Sequence, residues 1–177
     1  MRIISGKFRS RNLKAAGHLR PTTDRVRETL FNILQSEIED STFVDAFAGT
    51  GSAGIEAISR GAGMVYFLES NRKSLLILRE NLQTCCAEEV WRILAMDVLK
   101  GLPVLKQQCE HVDLLFFDPP YDYDQYSGLL DCSIRLFPEA TNIVEHSSRF
   151  RIDPSGLVEC VRSKDIGETQ LSFFRKS

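Results

Sequence analysis

The most chemically specific stretch of this chain is Asp118-Pro119-Pro120-Tyr121, which follows an apolar run ending at Phe117. Two consecutive prolines fix the backbone and remove two N–H groups, so the local carbonyls point in set directions. Asp118 and the Pro119 carbonyl can then both accept hydrogen bonds from one exocyclic NH₂ group. Tyr121 offers a ring on which the base carrying that amine can stack, worth on the order of 1–3 kcal/mol per base. Such an amine is a poor nucleophile, because its lone pair is delocalised into the ring. Two acceptors orient it and favour pyramidalisation, so rate comes from positioning and preorganised dipoles without a covalent intermediate. A base held this way is flipped out or was never paired. A rigid turn ahead of a helix is the plain alternative.

A second signal lies upstream. Asp45-Ala46-Phe47-Ala48-Gly49-Thr50-Gly51-Ser52-Ala53-Gly54 joins an apolar segment to a helical one, and residues 49–54 read G-x-G-x-x-G. Glycines in such a turn let backbone approach a ligand, and the following helix points its first amides at it. With Glu69 eighteen residues beyond Gly51, the same letters fit a dinucleotide fold with its ribose acid. Asp45 tilts the choice. It puts a charge where dinucleotide folds usually carry an apolar residue, and it suits a ligand with an ammonium group, such as the methionine end of S-adenosyl-L-methionine. Glu69, closing the next strand, is placed to accept from both ribose hydroxyls. Asp97, after the third strand, is placed to accept from an adenine amine. Any one of these acids could be a helix N-cap. Three in register around one glycine loop favour a ligand crevice at the carboxyl ends of the strands, with Asp45, Gly49, Gly51, Glu69 and Asp97 as cofactor contacts. No Gly-Lys-Ser/Thr closes the loop, which excludes a P-loop.

These residues need a sheet to hold them. From residue 42 onward strand-like and helical segments alternate, the pattern of a parallel α/β sheet. Strands are predicted at 43–47, 64–68, 90–94, 112–117 and 142–145, and helices at 52–60, 71–84, 98–108 and from 122 to about 137. Residues 157–175 read as two β segments split by Asp165-Ile166-Gly167, so the sheet should finish with an antiparallel hairpin. Ahead of it, Arg2 to Leu13 reads as a β-hairpin around Ser5-Gly6. Val26, Leu30, Ile33 and Leu34 mark one face of a helix opening after Pro21. Two regions are expected: a basic extension over 1–38 and a catalytic α/β domain over 39–177.

The 177 residues are 43% hydrophobic and 26% charged, enough for one well-buried core. Apolar runs are strand-sized and the N-terminus lacks a signal peptide's apolar stretch, so no membrane segment and a cytoplasmic location are expected. The five cysteines form no C-x-x-C pair, and neither a metal site nor a catalytic thiol is expected. Charge is unevenly spread. Residues 1–27 carry eight Lys/Arg against one acid, whereas the remaining 150 carry 14 basic and 23 acidic residues. A basic arm on an acidic body suits contact with phosphates. Ile3, Ile4, Phe8 and Leu13 give that arm apolar anchors a solvated tail would not need.

With both motifs in hand, the chain resembles the bacterial ribosomal RNA small subunit methyltransferase D family over nearly its whole length. The likeness rests on Arg2-Ile3-Ile4-Ser5-Gly6-Lys7 with Arg9 and Arg11, and on Leu19 to Asn32. It continues through Asp45 to Gly51, Gly54-Ile55-Glu56-Ala57, Ser59-Arg60-Gly61-Ala62, Asp118 to Tyr121 and Val144-Glu145-His146. Arg20-Pro21-Thr22-Thr23-Asp24-Arg25-Val26-Arg27-Glu28 is the discriminating piece, since DNA amino-methyltransferases share Asp-Pro-Pro-Tyr but not that block. The resemblance implies a Rossmann-like class I methyltransferase fold: a seven-stranded, mostly parallel sheet with an antiparallel last strand, plus the N-terminal hairpin and a helix over 22–36. It implies methyl transfer from S-adenosyl-L-methionine to N2 of guanine 966 in 16S rRNA, within assembled or partly assembled 30S subunits, by a monomer. Asp118, Pro119 and Tyr121 would act on the amine, and Thr22 and Thr23 would lie near the methionine carboxylate. Arg2, Lys7, Arg9, Arg11, Pro120 and Tyr121 would touch RNA. His146 is tempting as a proton acceptor but reads more simply as a structural histidine.

Adenine N6 in DNA or RNA is the alternative substrate, because an acceptor pair reads an amino group rather than a whole base. A nicotinamide-dependent oxidoreductase would explain the glycine loop but neither Asp118-Pro119-Pro120-Tyr121 nor the basic arm. A non-catalytic RNA-binding factor on a decayed methyltransferase fold would have no reason to keep Asp45, Glu69, Asp97 and Asp118 together.

Overall fold

Strands that are apolar on both faces belong in the middle of a sheet covered by helices above and below, and the first strands of this chain lie there. The structure, a computed structural model, describes residues 1–15, 24–85, 90–120 and 122–177. Its seven strands are β1 (Thr42–Asp45), β2 (Met64–Leu68), β3 (Trp91–Leu94), β4 (Leu114–Phe117), β5 (Thr141–Ser147), β6 (Val158–Ile166) and β7 (Thr169–Lys176). They form one sheet in the order β3-β2-β1-β4-β5-β7-β6. The first five pair in parallel, and β7 runs antiparallel to both β5 and β6. This is the class I methyltransferase sheet. β2 has the predicted bounds, and the others differ by a few residues.

Alternation along the strands divides the core. Phe43, Val65, Phe67, Leu114 and Phe116 face α1 (Asp24–Ile33), α2 (Ser52–Ser59) and α3 (Arg72–Cys85) through Leu30, Phe31, Ile55, Leu78 and Leu82. Val44, Tyr66, Leu68, Leu115 and Phe117 face α4 (Val98–Gln108) and α5 (Tyr126–Leu136) through Leu102, Leu105, Leu129 and Leu130. β3 and β6 are the edges, and the charged residues along the exposed β6 discourage pairing with another chain. No helix among the described residues is long and apolar enough to cross a membrane.

The N-terminal segment departs from expectation. Arg2 to Leu13 pairs as a hairpin only at its base: an antiparallel bridge joins Arg2 and Asn12, flanked by the Ile3 and Leu13 amides donating to the Arg11 and Met1 carbonyls, and tight turns fill the span between. The physical reason is competition for backbone amides. The Ile4 and Ser5 amides donate to the Glu56 carboxylate at 2.8 and 3.0 Å, and those of Lys7 and Phe8 donate to the Ser59 carbonyl and hydroxyl. Donors a ladder would need are spent on α2. Ile3, Phe8 and Leu13 are buried in the same core as Phe43 and Ile55. Nor is all of the arm's positive charge at the surface, because Arg27 is fully buried.

Candidate active site

The carboxyl ends of β1 to β4 lead into Asp45, Glu69, Asp97 and Asp118, which the strand order lines along one edge. Parallel register sets Asp45 level with Phe67 on β2 and Phe116 on β4. Glu69 and Asp118 therefore stand two residues further on, roughly 6.6 Å along the strand direction. The chain order reverses between β1 and β4, the point at which an open α/β sheet usually forms its ligand crevice.

Asp45 is 2% exposed, and its Oδ2 accepts the Gly54 amide at 2.9 Å. Burial pushes its carboxyl up to about 7, against the pull of that hydrogen bond, and the charges of Asp118 and Glu69 reinforce the rise. A near-neutral acid here is poised to ionise when a cation arrives. Glu69 fastens the glycine loop: Oε2 accepts the Gly49 amide at 2.7 Å and Oε1 the Asn71 amide at 2.6 Å. Asp97 is exposed and caps α4, accepting the Leu99 amide at 3.0 Å. The N-cap reading therefore holds for Asp97. A capped carboxylate still has lone pairs for a ligand. Gly49 and Gly51 adopt positive φ, 55° and 86°. A Cβ on Gly54 would lie 2.2 Å from the Phe67 ring, so only glycine lets α2 seat on β2 at this point. Pro119 is buried, Pro120 exposed and Asp118 half-buried, while Thr22, Thr23 and Tyr121 lie outside the described residues.

Beyond the acids, the β4–β5 side of the crevice is aromatic. Phe47 meets Tyr123 edge-on at 5.4 Å, Tyr123 meets Tyr126 at 5.3 Å, and Tyr126 reaches Phe150 at 5.2 Å and His146 at 6.2 Å. Burial, then the Asp118 charge, pushes the Tyr126 phenol up to about 12, so it stays a neutral donor beside that acid. His146 is buried, with Nε2 on the Ser172 hydroxyl at 2.9 Å and Nδ1 on the Ser147 carbonyl at 3.0 Å. Burial lowers its pKa. Both ring nitrogens have protein partners.

The arm docks through buried charge. Glu56 and Arg27 are both fully buried, 3.8 Å apart, and Arg60 Nε donates to Glu56 at 2.8 Å. The Arg27 Nη2 donates to the Arg2 carbonyl at 2.6 Å and to Asp24 at 2.9 Å. Gly6 sits so close to α2 that a Cβ would fall 1.8 Å from the Ser59 carbonyl oxygen. Ser59 ends a helix that begins at the crevice, and eight residues span about 12 Å, so Gly6 and Lys7 lie at the far end of α2 from the acids. The side chains of Arg2, Lys7, Arg9 and Arg11 are exposed. A groove of about 520 Å³, away from the crevice, separates the arm from α1 and is lined by Arg2, Arg9, Arg25 and Arg60 with Asp24 and Glu28.

A family model described as "Conserved hypothetical protein 95" matches residues 1–175. Ribosomal RNA small subunit methyltransferase D of Haemophilus influenzae is 42% identical over 151 residues, 82% of this chain and 78% of that one. The chain belongs to the ribosomal RNA small subunit methyltransferase D family. Two solved structures resemble it along their whole length. The Escherichia coli protein yhhF is 32% identical with a TM-score of 0.79, covering 100% of this chain and 98% of that one. A hypothetical protein of Thermus thermophilus, TTHA0928, is 27% identical with a TM-score of 0.83, covering 99% of each chain.

Within this chain, several positioning residues escape a motif reading. Asn81, buried on the apolar face of α3, donates to the Thr50 carbonyl at 2.9 Å and accepts the Lys14 amide at 2.8 Å. It ties the arm to the glycine loop. Its signal in the sequence is a polar residue between Leu78 and Leu82. Glu56, a charge inside the apolar α2, carries the same kind of signal. The Phe47–Tyr123–Tyr126 row carries none, because its members come from separate loops and a helix.

Proposed function

We propose that this protein is an rRNA methyltransferase that transfers a methyl group from S-adenosyl-L-methionine to N2 of a guanine in 16S rRNA, guanine 966 by the family's pattern. The observation that carries the reading is the placement of Asp118-Pro119-Pro120 at the end of β4, across the reversal point from the buried Asp45. The crevice fits the cofactor's chemistry. Asp45 would face its cationic end, the Gly49–Gly51 loop and Thr22 and Thr23 its methionine end, Glu69 the ribose and Asp97 the adenine. When bound, S-adenosyl-L-methionine supplies an electrophilic methyl group on a sulfonium.

The chain's own residues do the rest. Asp118 and the Pro119 carbonyl hold the two amine hydrogens, aiming the lone pair across the crevice. Tyr121 stacks on the base, and Pro120, exposed beside it, borders the entering nucleotide. Arg2, Lys7, Arg9 and Arg11, on the extension over 1–38, hold phosphates at the far end of α2, about 12 Å from the crevice. An rRNA in the 30S subunit, as a cytoplasmic monomer would meet it, spans that distance easily. The test is incubation with labelled S-adenosyl-L-methionine and unmodified 30S subunits, followed by mapping of the modified nucleotide. Label on a guanine N2 supports the proposal. Label on an adenine, or none in the presence of bound cofactor, overturns it.

A further inference from the structure

We propose that the loop Arg149-Phe150-Arg151 is a second nucleic-acid contact, in which the Phe150 ring stacks on an unpaired base beside the target and the two arginines hold its phosphates. The proposal rests on the RNA-methyltransferase reading and deepens it. β5 pairs in parallel with β4, Phe117 opposite Val144, and then runs three residues further to Ser147. The turn after it, closed by the Phe150 amide on the Ser147 carbonyl at 3.0 Å, therefore stands over the carboxyl edge next to the Asp118 turn.

Phe150 leans on Tyr126 at 5.2 Å with 38° between the rings, and it is still 44% exposed. Tyr126 in turn feels the charge of Asp118, which ties this ring to the amine end of the crevice. The other large apolar residues left exposed among those described, Leu76, Leu157 and Val161, are aliphatic. Every base has a π-face, so one pre-oriented ring accepts it without reading its identity.

Charge on the loop matches an RNA strand. Between β5 and β6 the chain carries Arg149, Arg151 and one acid, Asp153. Arg149 meets Glu168 at 2.7 Å, but both side chains are largely exposed, and such pairs hold weakly enough for a phosphate to replace the carboxylate. The Ser148 amide donates to the Glu168 carbonyl at 2.8 Å, so the backbone stays pinned to the β6–β7 turn while the side chains project. Lys7 cannot serve here, because its backbone is seated at the far end of α2.

The test uses the full chain with unmodified 30S subunits, comparing Phe150→Ala, Phe150→Trp and the double variant Arg149→Ala/Arg151→Ala. Phe150→Ala should weaken 30S binding roughly 5- to 150-fold, raise KM more than it lowers kcat, and leave S-adenosylhomocysteine affinity unchanged. Phe150→Trp should restore wild-type binding. The double variant should flatten the slope of log affinity against log salt by roughly 1.4–1.8. Wild-type binding by Phe150→Ala overturns the proposal, as does loss of S-adenosylhomocysteine affinity in step with 30S affinity, or failure of Trp to rescue. Failure of the wild-type protein to methylate 30S while still binding it would overturn the enzymatic reading alone, since the three variants are also read by binding.

Discussion

The two halves of the sheet edge are built on different chemistry. On the β1–β3 side each acid already holds a backbone amide: Asp45 that of Gly54, Glu69 those of Gly49 and Asn71, Asp97 that of Leu99. On the β4–β5 side Asp118 is followed by a proline pair, and the rings of Tyr123, Tyr126 and Phe150 pack in a row beyond it. A small ligand that must be recognised group by group calls for a loop whose shape is fixed before it arrives. A base that must enter, react and leave calls for flat faces and a few acceptors. On the proposed reading, Asp45 and Glu69 would do two jobs, shaping the glycine loop and reading the ligand.

The largest break in that comparison comes at Asp118. Asp118→Ala should lower kcat by about 10²–10³-fold or more, the usual cost of losing a preorganised partner of the reacting group, while calorimetry still finds S-adenosylhomocysteine bound. Unchanged turnover would remove Asp118 from the amine. A second break tests whether the arm and the crevice are one folding unit. Glu56→Ala would strand Arg27 and Arg60 and two arm amides, at a cost of about 3–5 kcal/mol in denaturant unfolding. If the loss is under about 1 kcal/mol, a typical surface effect, the buried cluster does not hold the arm.

What is legible in the sequence follows the same division. The positions of the strand-end acids and the glycine loop announce themselves, because each depends on spacing within its own strand and the turn after it. The parallel sheet and its antiparallel finish are equally readable from Leu114 to Phe117 and from the Asp165-Ile166-Gly167 turn. The arm reads as a fuller hairpin than it is because the Ser5-Gly6 turn and its flanking β-formers say nothing about Glu56, 52 residues beyond Ile4, taking its amides. Arg27 counts as surface charge for the same reason. Asn81 sharpens the point: it looks like a flaw in an apolar helix face and is the tie between arm and loop. Asn81→Ala should cost about 1–3 kcal/mol in stability, from buried groups left unsatisfied, and weaken cofactor binding by loosening Thr50. Unaltered affinity would separate the loop from the arm.

A pH dependence distinguishes Asp45 from its neighbours. Burial pushes its carboxyl from the ordinary 3.8 up to about 7. Because the folded value is raised, its contribution to stability is complete below the ordinary value and declines as pH climbs toward about 7, where the buried charge must form. Asp45→Asn should erase that decline. Ligand binding carries the opposite slope. A cationic group at Asp45 favours the carboxylate, so binding below about pH 7 expels a proton, and affinity for S-adenosylhomocysteine should rise by up to about tenfold per pH unit before levelling off. Calorimetry in buffers of different ionisation enthalpy would count that proton directly. A flat profile between about pH 5.5 and about pH 8 would mean that the ammonium group binds elsewhere. The cofactor half would then be fastened by its acids without being read by Asp45.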